Sequence, residues 1–488
     1  MVFSCLRAIL PRSTHLTLEV RVPRSIIPFL LLLFPVMAMS NMANDVQSYE
    51  LPNGLKIFVQ EDHRAPVVVS QVWYKVGSSY EPNGITGISH ALEHMMFKGT
   101  AKHGPGEFSR IIAENGGEEN AFTSTDYTAY YQIMDASKLA ISFEMEADRM
   151  RNLIVDQKEF EKEIQVVMEE RRMRIEDSPQ HVAYERFIAA ANVSTGYHHL
   201  TIGWMNDIRN MTAKDLQKWY ENWYGPNNAL LVVVGDVKPD EVYKLAEKYF
   251  GELKPIELPV IKPQVELKPL GKQQLVVKQP AQLPWFIMGY NVPVIKTDTK
   301  NNDPYVLSMI SAILSDGNSG RLDKHLVRNQ QVAASISASY DPTDRLSGLF
   351  KFQGTPAQYH SVADVQKAVF EQINALKEKP VAANELEKVK AGVVAAKIYD
   401  KDAISNQATE IGSLESVGLS WKLRDEFIKH ISAVTPAQIQ EVARRYFIDD
   451  NLTVTELEPL PLSSKKSKGK GSPPAEPIGT EDKHTRVH

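Results

Sequence analysis

The chain has almost no cysteine: one, Cys5, in 488 residues. With no second cysteine there is no internal disulfide, and any metal site must be built from imidazoles and carboxylates. An excess of basic charge is also missing. The 55 Lys and Arg are outnumbered by 60 Asp and Glu, for a net charge of -5. No basic stripe suited to a phosphate backbone is present, so nucleic acid is not an expected partner. Apolar stretches that would suggest a membrane segment are confined to one run, residues 26–39. It follows Arg7, Arg12, Arg21 and Arg24 and ends at Ala38-Met39-Ser40, a small-x-small cleavage pattern. That order reads as a secretory signal over residues 1–40, with a mature start near Asn41 and no thiol left. The expected location is the periplasm or another exported compartment. The alternative is a membrane tether by an uncleaved segment, for which a run broken by Pro28 and Pro35 is short.

What is present is ordinary for a globular protein: 43% hydrophobic and 24% charged residues. The length exceeds one core and predicts several domains. Residues 55–59 and 67–74 read as strands; residues near 86–98, 136–151 and 157–175 read as helices. Strands followed by helical runs and further strands predict an α+β fold, helices layered on sheets.

The two halves resemble each other. Ile208, Thr212, Leu216, the pair Trp223-Tyr224 and Asn228 recur as Ile431, Thr435, Ile439, Tyr446-Phe447 and Asn451, all at one offset. Each set predicts a helix capped by Thr, a turn and a strand. Duplication of a domain of about 200 residues explains this economically. The expected parts are 41–252 (first domain), 253–272 (a Pro-rich linker), 273–460 (a homologous second domain) and 461–488 (a lysine-rich, disordered tail).

The chemistry concentrates in His90-Ala91-Leu92-Glu93-His94. Imidazoles four residues apart share one helix face, with a carboxylate beside them, which is the arrangement for gripping zinc next to a proton acceptor. Zinc needs a third ligand. Glu163 and Glu170, seven residues apart on one predicted helix, could supply it together with an outer carboxylate that orients a histidine. From spacing alone, a solvated acidic helix face explains them equally well.

His90-x-x-Glu93-His94 followed by Glu170 resembles the pitrilysin-type zinc peptidases, or inverzincins, and in particular exported bacterial homologues of the mitochondrial processing peptidase β-subunit. The resemblance extends through Gly117–Ser124, Tyr224-x-Pro226-x-Asn228 and Val233–Val237, and covers nearly all of the mature chain. It implies one zinc ion per chain, held by His90, His94 and Glu170 rather than Glu169. It also implies Glu93 as general base and Glu163 as the carboxylate behind His94. The fold it implies is two homologous domains, each a mainly antiparallel sheet covered by helices, facing each other across a chamber. The expected activity is zinc-dependent endopeptidase cleavage of extended peptides or unfolded segments. Such a substrate would pair with the strand carrying Asn120, Ala121 and Phe122.

The second half departs from this pattern. Its equivalent of the histidine helix, residues 304–314, is apolar and has no ligands. Arg328 matches a substrate-contacting arginine of the family, but the tyrosine expected seven residues later is Ser335. A serine cannot reach as far as a phenol, so the resemblance also admits a scaffold or chaperone-like subunit, weakly active or inactive unless paired. The expected assembly is a homodimer, or a heterodimer with a degenerate homologue. A hinge at the linker would admit substrate. His198 and His199 read as loop packing, and His63 and His181 have no carboxylate at ligand spacing.

Overall fold

The computed structural model describes residues 46–462. The expected signal and nearly all of the expected tail lie outside that range. Two sheets organise the chain. The first has six strands in the order β1-β2-β6-β3-β5-β4: β1 (Gln47–Glu50), β2 (Lys56–Glu61), β3 (Val67–Tyr74), β4 (Glu118–Thr123), β5 (Thr128–Asp135) and β6 (Ala229–Gly235). The second has five in the order β7-β11-β8-β10-β9: β7 (Gln273–Pro280), β8 (Trp285–Val292), β9 (Ala333–Ser339), β10 (Gly348–Pro356) and β11 (Leu452–Leu460). Leaving out β1, the strand order is the same in both. In each sheet the first and last strands pair in parallel, β2 with β6 and β7 with β11, and the other pairings are antiparallel. The expected α+β architecture of two similar units is therefore present.

The first half carries α1 (Ile88–Met95), α2 (Glu107–Glu114), α3 (Leu139–Asn152), α4 (Gln157–Arg171), α5 (Pro179–Ala191), α6 (Met205–Asn210), α7 (Ala213–Trp223) and α8 (Pro239–Phe250). The second carries α9 (Asp303–Leu314), α10 (Val362–Glu378), α11 (Ala383–Asp400), α12 (Ile404–Ser416), α13 (Leu423–Ala433) and α14 (Pro436–Tyr446). The repeated motif is repeated in detail. Thr212 and Thr435 each close a capping box, with Asp215 and Gln438 as its other member. The Asn228 side chain donates to the Trp223 carbonyl at 2.9 Å, and the Asn451 side chain to the Tyr446 carbonyl at 3.2 Å.

Both faces of each sheet are apolar, and that decides how the halves meet. Along β3 and β6, Val68, Val72, Leu231 and Val233 point into the core beneath the first half's own helices. The alternate residues Val69, Trp73, Leu230, Val232 and Val234 point the other way, against Ala408 and Ile411 of α12. The exchange is reciprocal. Ala183, Phe187 and Ile188 of α5 cover Trp285 and Ile287 of β8 and Leu457 of β11. Each half thus lends a helix to the other's sheet.

The linker holds to the body as well. Residues 253–270 form neither helix nor strand. Ile256 exchanges two 2.9 Å hydrogen bonds with the Asn227 side chain. The Glu266 carboxylate accepts from the Val193 amide at 2.8 Å and the Thr195 hydroxyl at 2.8 Å. Swinging the halves apart about the linker would expose the apolar faces under both α12 and α5.

Candidate metal centre and its chamber

Helix α1 starts abruptly. Gly87, at φ 87°, takes the left-handed conformation, and a side chain there would strike the Ile202 carbonyl. No N-cap side chain serves this end. The buried Glu81 carboxylate does so from a distance in sequence, accepting from the amides of Gly87 at 2.6 Å and Ser89 at 2.8 Å. Burial pushes its carboxyl up to about 8, against two donors that favour the anion.

Helix α4 begins at an Asp156 cap and sets Phe160, Ile164, Val167 and Met168 into the core beside α1. Two turns separate Glu163 from Glu170, so both reach the same place. Oε2 of Glu170 lies 3.6 Å from Nε2 of His90 and 3.3 Å from Nε2 of His94. One donor atom from each of the three residues falls within 4.8 Å of the others, and this is the one such cluster found among the described residues. Oε1 of Glu163 meets Nδ1 of His94 at 2.9 Å, and its Oε2 meets the Lys98 ammonium at 2.5 Å. Glu169, by contrast, pairs with Arg172 at 2.6 Å on the solvent side.

The electrostatics differ from residue to residue. Burial holds His90 down at about 3. Burial also opposes charge on His94, but its contacts with Glu163 and Glu170 outweigh it and raise the imidazole to about 9. Burial raises Glu170 less than His94, His90 and Arg174 lower it, leaving it at about 2. Glu93 is buried and rises to about 7, although the Thr123 hydroxyl donates to its Oε2.

The donor set suits a tetrahedral divalent cation. Ligands about 2.0–2.1 Å from a tetrahedral centre lie roughly 3.3 Å from each other, close to the two Glu170 separations. Oε1 of Glu170 pairs with the Arg174 guanidinium at 3.1 Å, which leaves Oε2 facing both imidazoles, and Nδ1 of His90 is buried without a hydrogen-bond partner.

A chamber of about 1340 Å³ opens beside this centre, lined from both halves. His90, Glu93, Phe122 and Thr123 meet it from the first half, and Asp341, Lys351 and Leu457 from the second. Strand β4 is the terminal strand of its sheet. Of its three expected substrate contacts, Phe122 lines the chamber and packs edge-on against Trp73 at 5.3 Å. Ala121 is buried, and its amide donates to the Asn120 side chain at 2.8 Å.

Arg328 is elsewhere. It is half exposed in the π-helical turn Asp323–Asn329, bound to Asp323 at 2.8 Å, and it does not line the chamber. Ser335 lies on β9, the terminal strand of the second sheet. Sequence reasoning missed the contact between Thr123 and Glu93, although Thr123 stands in the quoted segment. It also missed the chamber positions of Arg174, His181 and His199. His199, assigned to loop packing, is buried with Nε2 unpartnered and is held down at about 4 by that burial. Arg174 stands one helical turn after Glu170 and pairs with it at 3.1 Å, a spacing legible in the sequence, whereas Thr123, His181 and His199 have no such signal because the chamber assembles from segments distant in sequence.

Comparison with known proteins agrees with the geometry. Residues 56–202 match the model of the Insulinase family (Peptidase family M16), and residues 210–393 match the Peptidase M16 inactive domain. The chain is 34% identical to the zinc protease PqqE of Helicobacter pylori over 430 residues, 85% of this chain and 93% of that one. It is 24% identical to a probable mitochondrial-processing peptidase subunit beta of Arabidopsis thaliana, over 87% of this chain and 81% of that one. A crystal structure of a protease from Helicobacter pylori superposes with a TM-score of 0.80 at 32% identity, covering 85% of this chain and 100% of that one. The chain belongs to peptidase family M16.

Proposed function

We propose that this chain is a zinc-dependent endopeptidase that cuts extended peptides or unfolded segments. The observation that carries this reading is the convergence of His90, His94 and Glu170 beside a buried Glu93 at the wall of a chamber. Zinc bound by those three residues would supply Lewis-acid polarisation of a carbonyl and lower the pKa of a bound water toward about 7. Glu93, buried at the chamber wall beside these three residues, is placed to take a proton from water and return it to the departing amine. Glu163 orients His94 by accepting from Nδ1, which leaves Nε2 as the ligand atom. The terminal position of β4 favours a substrate that pairs as an added strand, reading extended conformation more than side chains.

One observation favours a second reading, in which full activity requires a homologous partner chain. Arg328 and Ser335, at the family's substrate-contacting positions, lie away from this chain's own chamber. A second chain would have to bring equivalent groups to it. We also propose export, on the charged and apolar pattern of residues 1–40; N-terminal sequencing of the mature protein should begin near Asn41.

The test is hydrolysis of an unstructured peptide by the wild type, with and without chelator, beside Glu93→Gln. Cleavage should vanish with chelator and fall about 10²–10⁴-fold in the variant. Equal cleavage by the variant would sink the assignment of Glu93. Activity appearing only when a homologous chain is added would select the paired reading.

A further inference from the structure

The half without metal-ligating residues sends one side chain deep into the other. Arg345 stands in the connection between β9 and β10, and its guanidinium crosses to the turn joining β4 and β5. Its Nε donates to Asp126 Oδ1 at 2.9 Å, and its Nη2 to the Ser79 hydroxyl at 2.8 Å. Its backbone amide donates to the Tyr197 hydroxyl at 3.0 Å and to Asp126 Oδ2 at 3.2 Å. The cation also sits 4.2 Å from the centre of the Tyr80 ring. Asp126 is buried, and the Arg345 guanidinium is the cation paired with it.

Two short paths run from this node to the candidate base. On the first, the Asp126 turn is laced tightly: Ser124 donates to Tyr127 at 2.8 Å, and Ser79 to Thr125 at 2.7 Å. Thr123, at the entrance to the same turn, gives its hydroxyl hydrogen to Glu93. On the second, Ser79 and Tyr80 lead directly to Glu81, whose carboxylate holds the start of the helix that carries Glu93. Both the carboxylate of Glu93 and its helix are therefore referenced to a residue of the other half.

We propose that Arg345 is a positioning residue for Glu93, acting through the β4–β5 turn and Thr123. The proposal rests on the reading of Glu93 as general base, and it gives the ligand-free half a part in the reaction without any contact to the metal ligands. Displacing a reacting group by about an ångström costs up to about 100-fold in rate while leaving binding largely intact.

The test uses the full-length, zinc-loaded protein and an unstructured quenched peptide. The variants are Arg345→Met, Arg345→Lys, Thr123→Val and the Arg345→Met/Thr123→Val double variant. Arg345→Met should lower kcat about tenfold or more with KM changed less than about twofold. Zinc content and apparent zinc affinity should match the wild type. Thr123→Val should lower kcat similarly, and the double variant should be little worse than either single one, since both act through one contact. If Arg345→Met does not fold, Arg345→Lys replaces it in the same cycle. An unchanged kcat with only a lower Tm would make Arg345 a purely structural latch and overturn the proposal. So would multiplicative effects with Thr123→Val, or a loss of kcat that tracks a loss of zinc. Wild-type cleavage fully retained in Glu93→Gln would instead remove the general base itself, and the proposal with it.

Discussion

At the scale of single residues, the centre depends on which nitrogen of His94 points inward. Glu163 settles that by taking Nδ1–H, and Lys98 holds Glu163 in turn. Glu163→Gln should therefore weaken zinc binding by about 10- to 100-fold in a chelator-competition titration, with the fold intact by circular dichroism. Unchanged affinity would mean that ring orientation is set by packing alone. His199 supports a second prediction. Its folded-state value, about 4, lies below the ordinary 6.5, so the neutral ring is favoured by folding. Its contribution to stability is complete above pH 6.5 and is lost as pH falls from 6.5 toward 4, on the order of 3 kcal/mol. The wild-type Tm should thus fall across that interval relative to His199→Gln. Parallel curves for the two proteins would refute the assignment.

Among elements, α12 is the sharpest case of tertiary demands overruling local preference. Gly412 lies in the middle of this helix, where alanine would ordinarily gain about 1 kcal/mol. A Cβ at that position would fall 2.1 Å from Cε2 of Trp73, which is fully buried on the first sheet. The clash outweighs the propensity, and Gly412→Ala should destabilise the protein by about 1–3 kcal/mol, visible as a lower Tm. A higher Tm would show that α12 can lift from the sheet at little cost. Other elements were legible locally. The Thr212 and Thr435 helices carry their caps in the sequence, and α4 keeps Glu163 and Glu170 on one face by helical period alone. The π-turn after α4, at Arg172–Glu176, was read as continuous helix, because its side chains are as helix-compatible as those before it.

For the molecule as a whole, the exchange of α5 and α12 makes one body of two duplicated units. Gln71 on β3 donates to Thr409 on α12 at 3.1 Å, and Arg424 reaches Gln60 at 3.0 Å, so polar contacts fix the register of the apolar interface. A disulfide joining Gln71→Cys and Thr409→Cys should leave peptide hydrolysis within about twofold of the reduced protein. A collapse of activity on oxidation, restored by reductant, would show that the halves separate during turnover. Among the described residues no helix is long and apolar enough to cross a membrane.

The sequence alone determined the duplication and the spacing of the candidate ligands. A helical period of 3.6 places His90 beside His94 and Glu163 in line with Glu170, and the repeated Thr, aromatic pair and Asn mark equivalent turns. These are local relations, set by backbone geometry within a few turns. Only the tertiary structure decided that Thr123 touches Glu93 and that Arg328 stands apart. It also decided that Arg345 arrives from the far half. Those relations join segments up to some two hundred residues apart. The packing of two-sided apolar sheets selects them, and no periodicity along the chain records that selection.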